Sequence, residues 1–558
     1  MTHHENLRER WAEWTARHED GGSALSDATL VTLMDRLTAV DTPTHQKVRT
    51  LIHRIAGPTV SKVDVLRAYR ALVARGLAEE RPELLSALCL KPTRTISGVT
   101  PVAVMTEPHP CPGSCIFCPD FDDMPKSYIT DEPGALRGLQ LDFDPYRQTR
   151  HRIQALTTIG HATDKIELIV LGGTWSAYPR EYQERFIRRC FDGMNESDST
   201  TLGDAQQRNE RAQHRNVGLA VETRPDLVTL DEAAWLRRLG VTKVQVGVQS
   251  LDDRILSLNR RGHTADDTRR AFAVLRAAGF KIHAHWMPNL LGATPESDLV
   301  DFARLWDDPA IRPDELKIYP CSLIAGTELY RLWEGGEYVP YSDDELIELL
   351  ARCKAIIPPY CRVTRLMRDI PVHHIEAGCR IPNLRQTVRR NMGERGLRCR
   401  CIRCREVRVS DVDPQSIVLD DTIYETPTST EHFLSFVAAS TSAEPSRLAG
   451  FLRLSLPTQA ADVRGIVLPE LRGAALIREV HVYGPSLPLG TRAPHAQHRG
   501  LGTRLLEEAA HIARNAGFRR LSVISAIGTR AYYRARGFRL GELYVHQDLD
   551  SRRCEPSH

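Results

Sequence analysis

The sequence predicts an α/β protein built around a partial barrel of six β/α units over residues 96–330. A helical domain over residues 1–95 precedes it; a connector over 331–410 and a second α/β domain over 411–558 follow. Three observations lead there. Short apolar runs alternate with helix-period stretches between about residues 100 and 320, the pattern of parallel strands covered by helices. Residues 1–95 carry helical periodicity, as in "SKVDVLRAYRALVARG", and no convincing strand. After about residue 430 strands and helices resume in a different order. A chain of 558 residues is too long for one core, so several domains are expected.

Composition narrows the class. Apolar residues make up 42% and charged residues 26%, without an apolar run long enough to span a bilayer. The opening "MTHHENLRERWAEW" lacks the apolar stretch of a secretory signal. Thirteen cysteines without an export signal read as reduced thiols and metal ligands, which points to the cytoplasm and to no membrane partner. The net charge of +3 decides nothing, but ten arginines against two glutamates between Arg380 and Arg408 form either a solvated face or a phosphate-binding stripe.

The expected barrel strands are "PVAVMT", "IELIVLGG", "VGLAVET", "KVQVGVQ", "KIHAHWMP" and "ELKIYP". Reactive groups in such barrels sit at the C-terminal ends of strands. Cys111, Cys115 and Cys118 follow the first strand and Gly172-Gly173-Thr174 the second. Glu222 closes the third, with Arg224 just beyond, and Gln249-Ser250 closes the fourth. His283 and His285 alternate along the fifth and so face one side, toward the lumen or toward plain packing. In the last domain "AGFLRLSL", "IREVHVYG", "RLSVIS" and "LYVHQDL" read as strands, with a helix over "GLGTRLLEEAAHIARNAG".

Three motifs carry chemistry. The first, "CPGSCIFCP", offers three thiolates at CxxxCxxC spacing, enough to hold three irons of a 4Fe–4S cluster and leave the fourth open; a structural zinc loop is the bland alternative. The second, "CRCIRC", packs Cys399, Cys401 and Cys404 at a density that favours structural zinc, with His373, His374 and Cys379 as candidates for a fourth ligand. The third, "QHRGLGTRLL", brings Gln497, Gly500 and Gly502 to the start of a helix, where free N–H groups cradle a pyrophosphate.

The first motif at the top of a first barrel strand resembles the radical SAM superfamily, which implies a radical SAM barrel that cleaves S-adenosylmethionine (SAM). The "LGGT" turn would approach the methionine amino group, and Glu222 and Arg224 the ribose or carboxylate. The element order of the last domain is similar to the GNAT acetyltransferases, which implies acetyl-CoA, with Tyr532 and Tyr533 near the thioester as acid or polar clamp. Both halves together resemble the catalytic subunit family of Elongator, from about Lys91 to near the C-terminus. The resemblance rests on "KPTRTISGVTPVAVMTEPHPCPGSCIFCP", "VGLAVETRPD", "VQVGVQSLDDRILSLNRRGHT", "CRCIRCREV", "IREVHVYG" and "AYYRARGF".

That resemblance implies a tRNA-modifying enzyme forming 5-carboxymethyluridine at the anticodon wobble uridine. A 5′-deoxyadenosyl radical would abstract hydrogen from the acetyl methyl group, and the carbon radical would add to uridine C5. Family acetyl-CoA contacts carry over to Lys165, to Glu479, Val480, His481 and Val482, to Leu501, Gly502 and Thr503, and to Tyr533. The basic helices and the arginine-rich connector would take the tRNA anticodon stem-loop, and an electron donor is required. The short CxxxCxxC and the CxCxxC motif match the prokaryotic form, which implies action without Elongator's other subunits. A protein lysine acetyltransferase with a structural iron–sulfur cluster is the competing reading.

Overall fold

The computed structural model describes residues 27–549 except 42, 58–59, 75, 77–78, 91–94, 96, 122, 408–415, 439–445 and 484–499. The helices Asp27–Thr38, His45–Ala56, Lys62–Ala74 and Pro82–Leu88 gather Leu33, Leu37, Val48, Ile52, Val65, Leu66 and Leu84 into a core of their own. Arg70 ties this unit to the rest by donating to the Thr157 carbonyl.

The next strands are β1 (Thr100–Met105), β2 (Lys165–Leu171), β3 (Arg215–Thr223), β4 (Lys243–Gln249), β5 (Lys281–Trp286), β6 (Glu315–Ile318), β7 (Leu323–Ile324), β8 (Arg362–Arg365) and β9 (Ile375–Ala377). Six of them, β1 to β6, pair parallel in sequence order, and β8 adds a seventh strand beside β6. The sequence reading stops the barrel at residue 330, so this strand is a correction. Its "RVTR" has one apolar residue, Val363, and gives no strand signal of its own.

Side-chain alternation splits this sheet into two faces. On β4, Val244, Val246 and Val248 point outward into the main core, as do Ile282, Ala284 and Trp286 on β5. Helices such as Arg180–Asn195, Ala265–Ala277 and Pro295–Asp307 cover that face, and each fully buried apolar side chain contributes about 1.5–3 kcal/mol. Thr264 with Asp267, and Thr294 with Ser297, close capping boxes that start two of these helices. The other set, Lys243, Gln245, Gly247 and Gln249 on β4 and Lys281, His283 and His285 on β5, lines an internal cavity.

The last domain holds β10 (Ile417–Glu425), β11 (Ser429–Ala438), β12 (Arg447–Pro457), β13 (Ala474–Val482), β14 (Arg520–Val523), β15 (Arg539–Leu540) and β16 (Val545–Asp548), in the order β10-β11-β12-β13-β14-β16-β15. It docks on the N-terminal ends of the barrel strands through buried charge. Asp314, ahead of β6, accepts two bonds from Arg478 at 2.7 Å, and Arg453 donates to the Tyr360 carbonyl at 2.8 Å. Arg478 also reaches Glu431 at 2.8 Å. Burial works against the Asp314 charge, but Arg478 and Arg453 outweigh it and hold the carboxyl well below the ordinary carboxylate range. Tyr544 donates to the Ala278 carbonyl at 2.7 Å, and Arg237 to that of Leu543 at 2.7 Å.

Candidate active site

The loop after β1 carries Cys111, Cys115 and Cys118 to the C-terminal rim of the sheet, where all three line the cavity. Arg261 donates to the Cys115 sulfur at 3.1 Å, and Thr174 meets the Cys111 sulfur at 3.4 Å. Burial, helped by Cys115, pushes the Cys118 thiol up to about 12, so a bound metal is what would make it a ligand thiolate. Among the described residues, two groups of ligand-type side chains converge within 4.8 Å, and these cysteines are not one of them. Their wider separation suits thiolates on separate irons of one cluster, whereas donors to a single ion crowd together.

The surroundings fit SAM. Gly172 and Gly173 turn after β2 at φ 140° and 83°, and a Cβ on Gly172 would lie 1.7 Å from Thr106 Oγ1, so only glycine closes this turn. Glu222 and Arg224 line the cavity from the end of β3. Arg224 is clamped by Asp226 at 3.0 Å through Nε, while its Nη1 is buried without a partner. Gln249 ends β4 in the left-handed region at φ 64°, its Oε1 likewise unpartnered. Such strain and buried unpaired atoms gather where a ligand is held. Ser250 departs from the expectation: it is buried and donates to Asp301 Oδ2 at 3.0 Å, beside the Trp286 indole, instead of lining the cavity.

At the opposite end the cavity is walled by Glu479, Val480, His481 and Val482 of β13, with Gly502, Tyr532 and Tyr533. Strand β14 pairs with β13 only over Ala474–Ile477, so the two diverge from Arg478 onward and leave one edge of Glu479–Val482 open. The helix Leu501–Asn515 begins there without a side-chain cap, after Gly500 at φ 89°. Its free N–H groups suit a pyrophosphate. A Cβ on Gly502 would meet the Tyr532 hydroxyl at 2.8 Å, so this glycine keeps the approach open. Leu501 turns its side chain into the domain core and so has only its backbone to offer a ligand, while Thr503 Oγ1 accepts from Arg536 at 3.3 Å. Gln497 lies outside the described residues. Arg536 stacks over the Tyr532 ring at 3.6 Å, and burial raises the Tyr533 hydroxyl, which keeps it protonated.

One cavity of about 2430 Å³ joins the two ends along the inner face of the sheet. In its wall, Lys165 was expected to face a ligand and His283 and His285 either the lumen or plain packing, whereas Lys243, Lys281, Glu315 and Lys317 were not legible as a site. Lys165, which starts β2, has its ammonium lowered by burial. Lys243 bridges Glu167 and Glu315, and Lys281 pairs with Glu479 across the domain boundary. Burial pulls the Lys317 ammonium down to about 8 where it contacts Gln245. The signal was the alternation itself: apolar strands whose every second residue is Lys, Glu, Gln or His place those groups on one face.

Away from the cavity, Cys399, Cys401 and Cys404 bring their sulfurs within 4.8 Å of one another. Hydrogen bonds from Cys399 and Cys404 hold the Cys401 thiolate well below the ordinary thiol range, and the trio fits a single tetrahedral ion. His373 and His374 do not complete it; they converge on Asp131 instead. Part of the arginine-rich block is internal: Arg405 donates to the Pro359 carbonyl at 2.8 Å and Arg403 to that of Thr364 at 2.7 Å, whereas Arg380, Arg389, Arg390, Arg395, Arg398 and Arg400 are exposed.

Comparison with known proteins matches this architecture part by part. Residues 109–305 match the radical SAM superfamily, 313–394 the radical SAM C-terminal domain and 413–538 the acetyltransferase (GNAT) family. The tRNA uridine(34) acetyltransferase of Methanocaldococcus infernus is 42% identical over 88% of this chain and 94% of its own. Human Elongator complex protein 3 is 37% identical over 85% of this chain and 88% of its own. The structure of M. infernus Elp3 lacking residues 1–46 superposes with a TM-score of 0.70 at 39% identity, covering 81% of this chain and all of that one. On these grounds the chain belongs to the family of the tRNA uridine(34) acetyltransferases and Elongator complex protein 3.

Proposed function

We propose that this protein carboxymethylates the wobble uridine of tRNA anticodons at C5, using SAM and acetyl-CoA. The observation that carries the reading is the shared cavity, with the cysteine loop at one end and the β13–β14 cleft at the other. A seven-residue strand such as β4 spans about 20 Å, so both ends lie within one continuous lumen of that length.

Cys111, Cys115 and Cys118 hold a 4Fe–4S cluster, which when bound supplies the electron that cleaves SAM to a 5′-deoxyadenosyl radical. Arg261 neutralises thiolate charge at Cys115. The Gly172-Gly173-Thr174 turn, Glu222, Arg224 and Gln249 orient the SAM amino acid and ribose. At the other end the open edge of Glu479–Val482 takes the amides of the CoA arm, and the helix start from Gly500 to Thr503 takes its pyrophosphate. Lys165 and Lys281 face the lumen as counter-charges. Tyr533, kept protonated by burial, donates to the acetyl carbonyl or the leaving sulfur, with Tyr532 as its steric partner. Sheet walls exclude water from the acetyl methyl group until uridine arrives.

Cys399, Cys401 and Cys404 hold a structural zinc ion. The helical domain and the exposed arginines Arg389, Arg390, Arg398 and Arg400 take the phosphates of the anticodon stem-loop. The enzyme works in the cytoplasm as a single chain with an external electron donor, without other Elongator subunits. Acetyl-CoA hydrolysis should rise when an anticodon stem-loop with a wobble uridine is added; a rate indifferent to RNA contradicts the reading.

A further inference from the structure

Asp131 belongs to the turn that ends the cysteine loop, and His373 and His374 form the 3-10 turn Val372–His374 ahead of β9. Although 242 positions apart in sequence, His373 Nε2 lies 3.0 Å from one Asp131 carboxylate oxygen, and His374 Nε2 lies 2.8 Å from the other. The two rings are 4.3 Å apart and tilted by 42°, and the two nitrogens and the carboxylate offer ligand atoms that all lie within 4.8 Å of one another. The segments behind them are already docked. Arg368 donates to Ser127 Oγ at 3.0 Å and to Glu132 at 3.2 Å, and Ile129, Ile324, Ile370 and Ile375 form a small apolar cluster beneath.

We propose that Asp131, His373 and His374 form a second metal site, separate from the cysteine triad. It takes a divalent ion of borderline softness, such as zinc or cobalt, and clamps the cysteine loop to the connector. The donor set is two imidazoles and one carboxylate, which suits such ions and not a hard all-oxygen cation. Ligands at about 2.0–2.1 Å from a tetrahedral ion stand about 3.3 Å from one another. The two nitrogen–oxygen separations, 3.0 and 2.8 Å, fall short of that by a few tenths of an ångström, within reach of small side-chain rotations. Without an ion, an exposed His373 and a half-buried His374 on one carboxylate contribute little. His373 is 69% exposed, so the remaining coordination positions open to water. Arg365 and Asp369, 2.5 Å apart, satisfy each other and leave the three donors as the local ligand set.

Cobalt titration of the cluster-loaded protein, after zinc has been removed from the Cys399, Cys401 and Cys404 site, tests this, because thiolate ligands give charge-transfer bands that nitrogen and oxygen ligands do not. Two equivalents should bind: one with thiolate charge-transfer bands, and one with ligand-field bands alone. In Asp131→Asn, and separately in the double variant His373→Gln with His374→Gln, the second equivalent should vanish while the first and the iron content stay. With the cysteine site already filled by zinc, further zinc should raise the melting temperature of the parent protein and not of these variants. A single equivalent in the parent protein, or a second one that survives in both variants, would overturn the assignment.

Discussion

Two loops of this chain carry three cysteines each, and they differ in what surrounds them. Cys111, Cys115 and Cys118 stand at the rim of a cavity, spread out, with Arg261 and the Gly172-Gly173 turn beside them. Cys399, Cys401 and Cys404 crowd within 4.8 Å of one another and take no part in lining that cavity. The contrast teaches that ligand identity does not decide a metal's task. An open, accessible position makes a reactive centre, and a closed one makes a staple.

The sharpest break of that comparison is a pair of substitutions. Cys115→Ala should abolish modified tRNA and iron binding while leaving zinc content and melting temperature nearly unchanged. Cys401→Ala should do the reverse, losing zinc and stability but keeping iron, as metal analysis with thermal unfolding would read. Equal effects from both would remove the distinction.

Next in size is the charge cluster that fixes one end of the cavity to the other. Asp314→Asn removes the one carboxylate that Arg478 and Arg453 share, leaving these buried arginines only Glu431 and Glu479, and should cost about 3–5 kcal/mol in denaturant unfolding. The Asp314 pKa is lower folded than unfolded, so its contribution is complete above the unfolded value of about 3.9 and is lost as pH falls through the folded one. Parent and variant stabilities should therefore converge in strong acid.

Tyr533→Phe sharpens the acetyl end. If the hydroxyl donates a proton to the thioester, RNA-stimulated hydrolysis should fall by about 10²-fold with KM for acetyl-CoA little changed. The smallest effect is expected on the surface: Arg389→Ala with Arg390→Ala should weaken tRNA binding and lower its salt dependence by about one unit per lost phosphate contact.

Much of this was legible because spacing and period are local properties. Both cysteine triplets stand out by spacing alone, and the six parallel strands by their outward valines and isoleucines. What escaped depended on contacts far apart in sequence. Strand β8 reads "RVTR" and is a strand only because β6 offers it an edge. Strand β10 carries Asp420 and Asp421 in mid-run, which masks it. Ser250 sits at the expected rim, yet Asp301 of a later helix captures its hydroxyl. His373 and His374 looked like partners for nearby cysteines, but Asp131 lies closer in space. The cavity wall was present as alternating charge on apolar strands, a pattern that names a face without naming what fills it.

The account turns on one chain joining the two chemistries inside a single lumen. Mass spectrometry of nucleosides from tRNA incubated with protein, SAM, reductant and isotopically labelled acetyl-CoA tests this directly. It should find 5-carboxymethyluridine at the wobble position carrying the acetyl label, and none with Cys115→Ala. Unlabelled uridine alongside labelled protein lysines would contradict it.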